Sequence, residues 1–270
     1  MSDQSHLRYQ KNLEELDANE SHIQIVRLIP SNARVLDVGC ACGDLGVYLA
    51  RHKQCRLFGL EYNEASIAAA RSTGAYEDIG QTDLNALEPM PPSFPGSFDR
   101  IVFGDVLEHL LQPEQVLRSF LPFLGKEGRV VISLPNIAHG SIVAQLLLNK
   151  FTYMNYGILD KTHIRFFTLH SIARMMATVG LQILASSRTI WNLAGLHREN
   201  PEKLLPRYIV GYLAANPHSY VLQYVFEASL SGQRAYALEK HNISRLYELT
   251  EEERERIAQF QGTAGTAGAK

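Results

Sequence analysis

Short apolar runs alternate with amphipathic segments over the first half of this chain, and the alternation predicts a parallel α/β sheet. Each run is rich in Val, Ile, Leu or Phe, as is typical of a strand that is buried on both faces. The intervening segments show helical spacing of apolar residues, so helices are expected on both faces of the sheet. Strands are predicted at 34–38, 55–60, 101–103 and 129–134, with a further short segment within 75–83.

The pattern changes after residue 134. Two β-branched and aromatic runs, at 181–190 and 220–230, are expected to close the sheet as a strand pair. The chain is therefore divided into an N-terminal helical cap, a central domain with two inserts, a charged helix that serves packing or dimer formation, and a disordered tail. The boundaries are 1–30 for the cap, 31–232 for the domain, 136–168 and 191–219 for its inserts, 233–261 for the helix and 262–270 for the tail.

A glycine-punctuated turn follows the first predicted strand, at residues 39–43. Glycine lets backbone approach a ligand where a Cβ would intrude, and the next helix offers unpaired N–H groups at its N-terminus. Glu61 follows the second strand roughly 20 residues later, where a nucleotide-binding unit places a carboxylate for both ribose hydroxyls. Together the two signals predict a nucleotide-like ligand. The alternative for Glu61 is a solvated loop carboxylate or a helix cap.

Composition and charge narrow the class of protein. The 270 residues are 46% hydrophobic and 20% charged, with a formal net charge of -2, and no basic run is present. Nucleic acid is therefore disfavoured as a partner. No apolar stretch is long enough to span a membrane and the N-terminus lacks a secretory pattern, so a cytoplasmic location is expected. The three cysteines, Cys40, Cys42 and Cys55, are expected to be buried, reduced thiols without a disulfide or a zinc site.

The order of these motifs resembles that of a class I S-adenosylmethionine-dependent methyltransferase over residues 34–135. Within that class the Leu-Glu-His segment resembles the ubiquinone-biosynthesis O-methyltransferase branch. Segments 133–139 and 159–168 resemble methyltransferases found beside or fused to glycosyltransferases in bacterial polysaccharide and natural-product pathways. The resemblance implies a Rossmann-like, seven-stranded sheet with an antiparallel last strand. It is carried by the segments 35–43, 61, 83–84, 98–102 and 106–109.

The resemblance also implies a cofactor, S-adenosyl-L-methionine, with S-adenosyl-L-homocysteine as the product. One departure is Ala41, which stands where the family has the middle glycine, and cofactor binding is expected to survive it because alanine is small. Asp37 at the end of the first strand would repel a dinucleotide pyrophosphate, which disfavours a dehydrogenase. By this resemblance, the methionine end of the cofactor would contact Asp37, Gly39, Ala41 and Gly43, and the ribose would contact Glu61. The adenine would contact Tyr62, Asp83 and Leu84, and the cofactor amine would contact Asp105.

Some of the residues singled out here could have a purely structural role instead of a functional one. Asp83 could instead cap its loop, and Asp105 could cap the next turn. Methyl transfer to a hydroxyl needs alignment and the removal of one proton, for which histidine is the usual base near neutral pH. The candidates are His109, His139 and His163, each with the alternative of a hydrogen-bonded structural histidine.

Polar and aromatic residues around His163 are candidates for the acceptor site. Arg165 could pair a phosphate or carboxylate of the acceptor, or could be an internal ion-pair partner of Asp160. Aromatic residues nearby could form the floor of a sugar or aryl site, or could only pack. No metal is expected, and no loss of activity to a chelator. The acceptor candidates are Asp160, Arg165, Tyr153 and Tyr156, together with Phe151, Phe166 and Phe167.

The function expected from these features is O-methylation of a sugar or another hydroxylated small molecule, with a histidine as general base. Two alternatives remain open: N- or C-methylation of a natural-product scaffold, and a cofactor-binding module without turnover. A small-molecule acceptor is the expected partner, and a homodimer is left open.

Overall fold

The computed structural model describes residues 12–193, 205–231 and 244–266, with side chains described as far as residue 261. Parts of the predicted cap, second insert, C-terminal helix and tail lie outside these residues. Seven strands are present: β1 Arg34–Val38, β2 Arg56–Glu61, β3 Asp78–Gln81, β4 Phe98–Gly104, β5 Leu124–Pro135, β6 Leu181–Ile190 and β7 Val221–Leu230. The helices are α1 Ser21–Leu28, α2 Asp44–Lys53, α3 Glu64–Ser72, α4 Pro113–Phe120, α5 Gly140–Leu147, α6 Leu169–Val179, α7 Arg207–Ala215 and α8 Glu251–Thr266.

All seven strands form one sheet in the order β3-β2-β1-β4-β5-β7-β6. The first five strands are parallel, and β7 runs antiparallel to both of its neighbours. The expected Rossmann-like sheet with an antiparallel last strand is confirmed. From β1 the strand order runs outward through β2 to β3, and from β4 it runs outward in the opposite direction. The β1–β4 pair is therefore the topological switch point, and open α/β sheets bind ligands at the carboxyl edge of such a point.

Alternating side chains of the strands pack into two apolar layers. Val35 of β1 belongs to the layer that contains α1 and α2, whereas its neighbour Leu36 belongs to the layer that contains α4 and α6. This alternation follows from the two-residue period of a strand, and it explains why the strands are apolar on both faces. Each fully buried aliphatic side chain stabilises the fold by about 1.5–3 kcal/mol relative to an exposed one.

Several features differ from those expected from the sequence. The described part of the N-terminal cap is not separate from the domain, because Ile25 of α1 is fully buried in the same apolar layer as Val35. The second insert, expected to be irregular, contains α7. α5 ends at Leu147, earlier than the predicted run to residue 150. α8 continues to Thr266, past the predicted start of the tail at residue 262, because main-chain bonding propagates a helix through small residues.

A buried ion pair attaches α8 to the sheet. Arg188 of β6 donates two hydrogen bonds to the Glu253 carboxylate, at 3.2 and 2.9 Å, and both residues are buried. A further bond from Arg188 reaches the carbonyl oxygen of Leu246. α8 is thus fixed against the sheet edge, which is the packing role that the sequence suggested for the C-terminal helix. None of the helices within the described residues is long and apolar enough to cross a membrane.

Loss of one partner of this ion pair should destabilise the fold strongly. We expect Arg188→Leu to lower the free energy of unfolding by about 3–5 kcal/mol, because Glu253 would stay buried without its partner. The double variant Arg188→Leu/Glu253→Leu should recover much of that loss, since no unpaired charge remains. Urea titration measures both. The matched control is Arg56→Leu, which breaks the exposed pair with Glu77 and should cost about 1 kcal/mol or less; an equal loss in both single variants would contradict the expectation.

Candidate functional site

Three carboxylates lie at the carboxyl edge of the sheet, around the switch point. Asp37 lies near the end of β1, Glu61 ends β2, and Asp105 directly follows β4. The sequence placed all three at strand ends, and the parallel register brings those ends to one edge. The switch point therefore carries an acidic set, which suits a cationic ligand better than a pyrophosphate.

The turn after β1 has a left-handed backbone at every second position. The φ angles are +74° at Gly39, +46° at Ala41 and +88° at Gly43. The N–H groups of Gly39 and Cys40 donate to the carbonyl oxygen of Leu60, at 2.7 and 3.0 Å. The turn is thereby tied to the end of β2. Its glycines are needed for this backbone whether or not a ligand is bound.

Internal packing also requires these glycines. A Cβ at Gly39 would lie 2.7 Å from a methyl carbon of Val106, and one at Gly43 would lie 3.0 Å from the ring of Tyr76. The glycine pattern of the sequence predicts close approach of a ligand. The structure adds a second reason, because protein side chains already occupy the space beside them.

Ala41 is the one residue of the turn that is strained. Its positive φ brings the Cβ close to the following carbonyl oxygen, at a cost of about 1–2 kcal/mol for an L-residue. The small size of alanine, on which the sequence argument relied, does not remove this cost. A hydrogen bond of 3.0 Å from the Ala41 N–H to Oε2 of Glu61 holds the conformation in place.

The Glu61 carboxylate is largely occupied by backbone. Besides Ala41, it accepts from the N–H groups of Tyr62 and Asn63, each at 2.9 Å through Oε1. An ionised carboxylate accepts about four hydrogen bonds, so three are already made. Room remains for about one ribose hydroxyl, where the sequence argument assigned two. The alternative that Glu61 is a helix cap also holds in part, because its carboxylate accepts hydrogen bonds from Tyr62 and Asn63, which lead into α3.

Tyr76 packs beneath the turn. The sequence patterns do not predict this role. Its ring fills the space beside Gly43, Gly46 and Gly59, where added Cβ atoms would lie 3.0, 2.3 and 3.2 Å from ring carbons. Its hydroxyl donates to Oδ2 of Asp37 at 2.7 Å. The sequence does carry a signal for Tyr76. Gly46 lies in a helix and Gly59 in a strand, where glycine is not otherwise needed, so both indicate that a bulky side chain packs against them.

Asp37 is buried beside Tyr76 instead of facing solvent. Burial raises the pKa of the Asp37 carboxyl to about 6, the Tyr76 hydroxyl opposes the shift, and the nearby charge of Glu61 adds to it. The carboxyl is therefore poised near the range where a cationic group could draw it into the charged form.

The residues assigned to the adenine lie along the ends of β2 and β3. Tyr62 is 67% exposed, and Leu84 packs partly against the core. Oδ1 of Asp83 accepts from the Asn85 N–H at 2.9 Å, which is the loop-capping role weighed as its alternative. The adenine contacts of these three residues stay predictions.

Asp105 is held by side chains of β5 and β7. It has a left-handed backbone, with φ at +56°, and its N–H donates to Oγ of Ser133 on β5 at 2.9 Å. Its Oδ1 accepts from Ser133 Oγ at 2.5 Å and from Gln223 Nε2 on β7 at 3.0 Å. The carboxylate is thus oriented at the switch point by β5 and β7, so it does more than cap a turn.

Glu108, His109 and His163 come together just beyond β4. Each offers one oxygen or nitrogen, and these atoms lie within 4.8 Å of one another. The histidine rings meet edge to face, 4.8 Å apart at their centroids. Burial raises the pKa of the Glu108 carboxyl well above its usual range, with Asp105 adding to the shift, and burial with His163 nearby lowers the pKa of His109.

The other sequence candidates lie apart from this cluster or support it. His139 is fully buried, and its ring accepts from the Ser141 N–H as the cap of α5. Asp160 is buried, and its Oδ1 accepts from the N–H and hydroxyl of Thr162 at 2.9 and 2.7 Å, so it shapes the loop that carries His163. Arg165 donates to the carbonyl oxygen of Leu111.

An exposed aromatic surface lies next to that loop. Phe151 meets Tyr153 and Phe166 edge to face, with ring centroids 5.3 and 5.6 Å apart. Tyr153 and Tyr156 are 52% and 66% exposed, so much of each side chain is open to solvent. Phe167, by contrast, is buried in the core.

Relief of strain at Ala41 should stabilise the protein. We expect Ala41→Gly to raise the free energy of unfolding by about 0.5–1 kcal/mol. This is the strain energy that glycine relieves, minus the cost of the larger backbone entropy that glycine has in the unfolded chain. Affinity for S-adenosylhomocysteine should stay close to that of the original chain. Urea titration and calorimetry measure the two quantities. The control is Ala68→Gly on the exposed face of α3, expected to cost about 1 kcal/mol; destabilisation at both positions would rule out strain at Ala41.

The buried Asp37 predicts a specific dependence of stability on pH. The folded state holds this proton more tightly than the unfolded state, so Asp37 lowers stability as pH rises from about 4 to about 6. Asp37→Asn removes the effect. Relative to the variant, the original chain should therefore lose about 1–3 kcal/mol between about pH 4 and about pH 7. The groups facing Asp37 are Tyr76, Glu61 and Cys40, and a constant difference in urea titrations at both pH values would contradict the assignment.

Comparison with known proteins identifies the family. A family model described as a methyltransferase domain matches residues 8–186. Ubiquinone biosynthesis O-methyltransferase of Neisseria meningitidis serogroup A is 27% identical over 157 residues, covering 56% of this chain. The match spans 64% of that relative's length.

Solved structures share the fold. Magnesium protoporphyrin IX methyltransferase from Synechocystis PCC 6803, with bound SAH, has a TM-score of 0.53 at 14% identity, covering 79% of this chain and 83% of that one. A TehB-like methyltransferase from Corynebacterium glutamicum has a TM-score of 0.51 at 17% identity, covering 81% of this chain and 91% of that one. The chain belongs to the methyltransferase-domain family, within the class I S-adenosylmethionine-dependent methyltransferases.

Proposed function

We propose that this protein transfers a methyl group from S-adenosylmethionine to a hydroxyl group of a small molecule. The observation that carries the proposal is the pair of histidines, His109 and His163, at the carboxyl edge beside the switch point. A hydroxyl acceptor must lose a proton during transfer, whereas the sulfonium already supplies an activated methyl group. The O-methyltransferase name of the similar Neisseria protein supports the same reaction.

The residues present fit the cofactor. Its sulfonium and ammonium charges suit the acids Asp37, Glu61 and Asp105, and Glu61 has room for a ribose hydroxyl. We assign Gly39, Ala41 and Gly43 to the methionine end of the cofactor, and their position beside Asp37 at the same edge supports this assignment. In this arrangement the turn orients the cofactor, and Asp105 faces the junction with the acceptor side.

For the acceptor we propose a sugar or aryl compound. The exposed rings of Tyr153 and Tyr156 could stack on the face of such a molecule, as aromatic side chains do with sugars and flat rings. Residues 153–155 reach the histidine loop through main-chain hydrogen bonds of Met154: its N–H donates to Leu159, and its carbonyl accepts from Lys161, at 2.7 and 2.9 Å. The stacking surface and His163 are therefore parts of one folded loop.

For proton removal, the three histidine candidates narrow to two. His139 caps α5 inside the core, so we assign the function to His109 and His163. Both rings direct Nδ1 at a backbone carbonyl oxygen, which can only accept, so Nδ1 carries the ring proton and Nε2 keeps its lone pair. Each ring thus presents a basic nitrogen on its other side.

Turnover assays against a panel of sugar nucleotides, glycosides, phenols and amines test the proposal. We expect methyl transfer to hydroxyl compounds, and a loss of about 100-fold or more in kcat for His109→Ala and His163→Ala. Their affinity for S-adenosylhomocysteine, measured by calorimetry, should be unchanged. His170→Ala, an exposed histidine on α6, is the matched control.

Other results would select other functions. Methylation of amines or carbon acids alone would point to the N- or C-methyltransferase alternative. Binding of S-adenosylhomocysteine without transfer to any class of acceptor would favour a binding module. No heat of binding at all would remove the cofactor from the proposal.

A further inference from the structure

Tyr76 connects the N-terminus of α2 with the buried carboxyl group of Asp37. Its hydroxyl donates to Oδ2 of Asp37 at 2.7 Å and accepts from the N–H of Gly46. Gly46 is the third residue of α2, so its N–H has no carbonyl partner within the helix. Nucleotide-binding folds commonly offer such N–H groups to a phosphate. Here a tyrosine hydroxyl takes that place, and it donates in turn to a carboxylate.

The Tyr76 hydroxyl is held in place by the packing around its ring. The ring lies against α2 and β2 at two glycines, Gly46 and Gly59, where no side chain competes for the space. The N–H of the next residue, Glu77, donates to the carbonyl oxygen of Leu57 on β2 at 2.8 Å. Burial raises the pKa of the Tyr76 hydroxyl well above its usual range, so the group stays protonated and remains a donor to Asp37.

Asp37 lacks a positively charged partner in the protein. Within residues 12–193, 205–231 and 244–266, one hydrogen bond reaches its side chain, from Tyr76 to Oδ2, and Oδ1 has none. A cationic group of a ligand would therefore be the first positive charge beside this carboxyl group. Its neighbours in the fold are uncharged or acidic: Tyr76, Glu61, Cys40, Gly59 and Val102.

We propose that Tyr76 is a positioning residue, which holds the Asp37 carboxylate for the ammonium group of the cofactor and makes cofactor binding release a proton from Asp37. The inference rests on the proposed function through the cofactor, and it adds a dependence of that site on pH. The proton passes from the carboxyl oxygen to solvent, and the carboxylate then pairs with the ammonium group. A hydrogen bond to a charged group contributes about 1.5–3 kcal/mol, so the hydroxyl lowers the cost of ionising Asp37.

The direction of the pH effect follows from the free protein. Burial raises the pKa of the Asp37 carboxyl to about 6, the Tyr76 hydroxyl opposes the shift, and the charge of Glu61 adds to it. A cation beside Asp37 lowers this pKa in the complex, so the complex holds fewer protons than the free protein. Affinity is therefore complete above about pH 6 and falls as the pH falls below it. Without the hydroxyl, the fall should begin at a higher pH.

Calorimetric titration of the full chain with S-adenosylhomocysteine, from about pH 5 to about pH 8, tests the proposal. We expect the original chain to bind about 10-fold more weakly at about pH 5 than at about pH 7. Tyr76→Phe keeps the ring and removes the hydroxyl. Its affinity should be about 5–10-fold below that of the original chain at about pH 5–6, and within about twofold of it at about pH 8.

Two further variants complete this titration. Asp37→Asn removes the group that titrates, so its affinity should not change over the same pH range. The matched control is Tyr48→Phe, which removes the hydroxyl of a partly buried tyrosine on α2 that packs in the layer of Val35. Its affinity should follow that of the original chain at every pH.

A second measurement needs no cofactor. The ¹³C chemical shift of the Asp37 carboxyl reports its ionisation in the free protein, and the signal is assigned by its loss in Asp37→Asn. We expect a midpoint near the pKa of about 6 in the original chain and in Tyr48→Phe. In Tyr76→Phe the midpoint should be higher by about 1 pH unit. Loss of packing alone would not move it in this direction.

Each contrary result overturns a defined part of the inference. An affinity of Tyr76→Phe that is lower by the same factor at every pH would show that Tyr76 only packs. Unchanged profiles in Tyr76→Phe would remove the hydroxyl from the inference. A pH dependence that persists in Asp37→Asn would assign the released proton to another group.

Failure of this inference can be distinguished from failure of the proposed function. A shifted binding profile in a chain that methylates no acceptor keeps the role of Tyr76 and removes methyl transfer. Methyl transfer with the same binding profile in Tyr76→Phe as in the original chain keeps the function and removes the role. Absence of S-adenosylhomocysteine binding by the original chain removes the cofactor from both.

Discussion

The hydrogen bonds between the turn after β1 and the end of β2 are the constraint on which the rest of the site depends. Three successive N–H groups of the turn, from Gly39 to Ala41, are bonded to Leu60 and Glu61. This attachment imposes the left-handed backbone and so the need for glycine. Tyr76 completes it from below, because its ring occupies the space that the glycines leave. The conformation of the turn is therefore supported by contacts within the protein itself.

The carboxyl edge divides into two parts with different construction. Ends of β1, β2 and β3 form the part proposed for the cofactor, which is held mainly by backbone hydrogen bonds and carboxylates. The part proposed for the acceptor lies beyond β4 and β5, and its chemistry comes from a loop that returns after α5. Asp105 stands between the two and is oriented by Ser133 and Gln223. In the proposed arrangement, orientation of the methyl donor is separated from choice of the acceptor.

Local patterns were enough to predict the sheet, because strand and helix periods are written into consecutive residues. They also located Glu61 and Asp105, since the end of a parallel strand is a position along the chain. Tyr76 could not be found in this way: its contacts join three elements and depend on tertiary packing. The strain at Ala41 was missed because side-chain size was considered and backbone conformation was not. The convergence of Glu108 with His163 depends on the path of a long loop, which no local period encodes.

The loop that carries His163 is attached to the switch point through main-chain atoms. The carbonyl oxygen of Glu108 accepts from the N–H groups of Ile164 and Arg165, each at 3.0 Å. Because these bonds use no side chain, a substitution at position 164 leaves them in place, whereas Arg165 adds a side-chain hydrogen bond to the carbonyl oxygen of Leu111. The part of the fold proposed for the acceptor can therefore diverge in sequence while His163 keeps its place, and related chains could acquire new acceptors without rebuilding the proposed reactive centre.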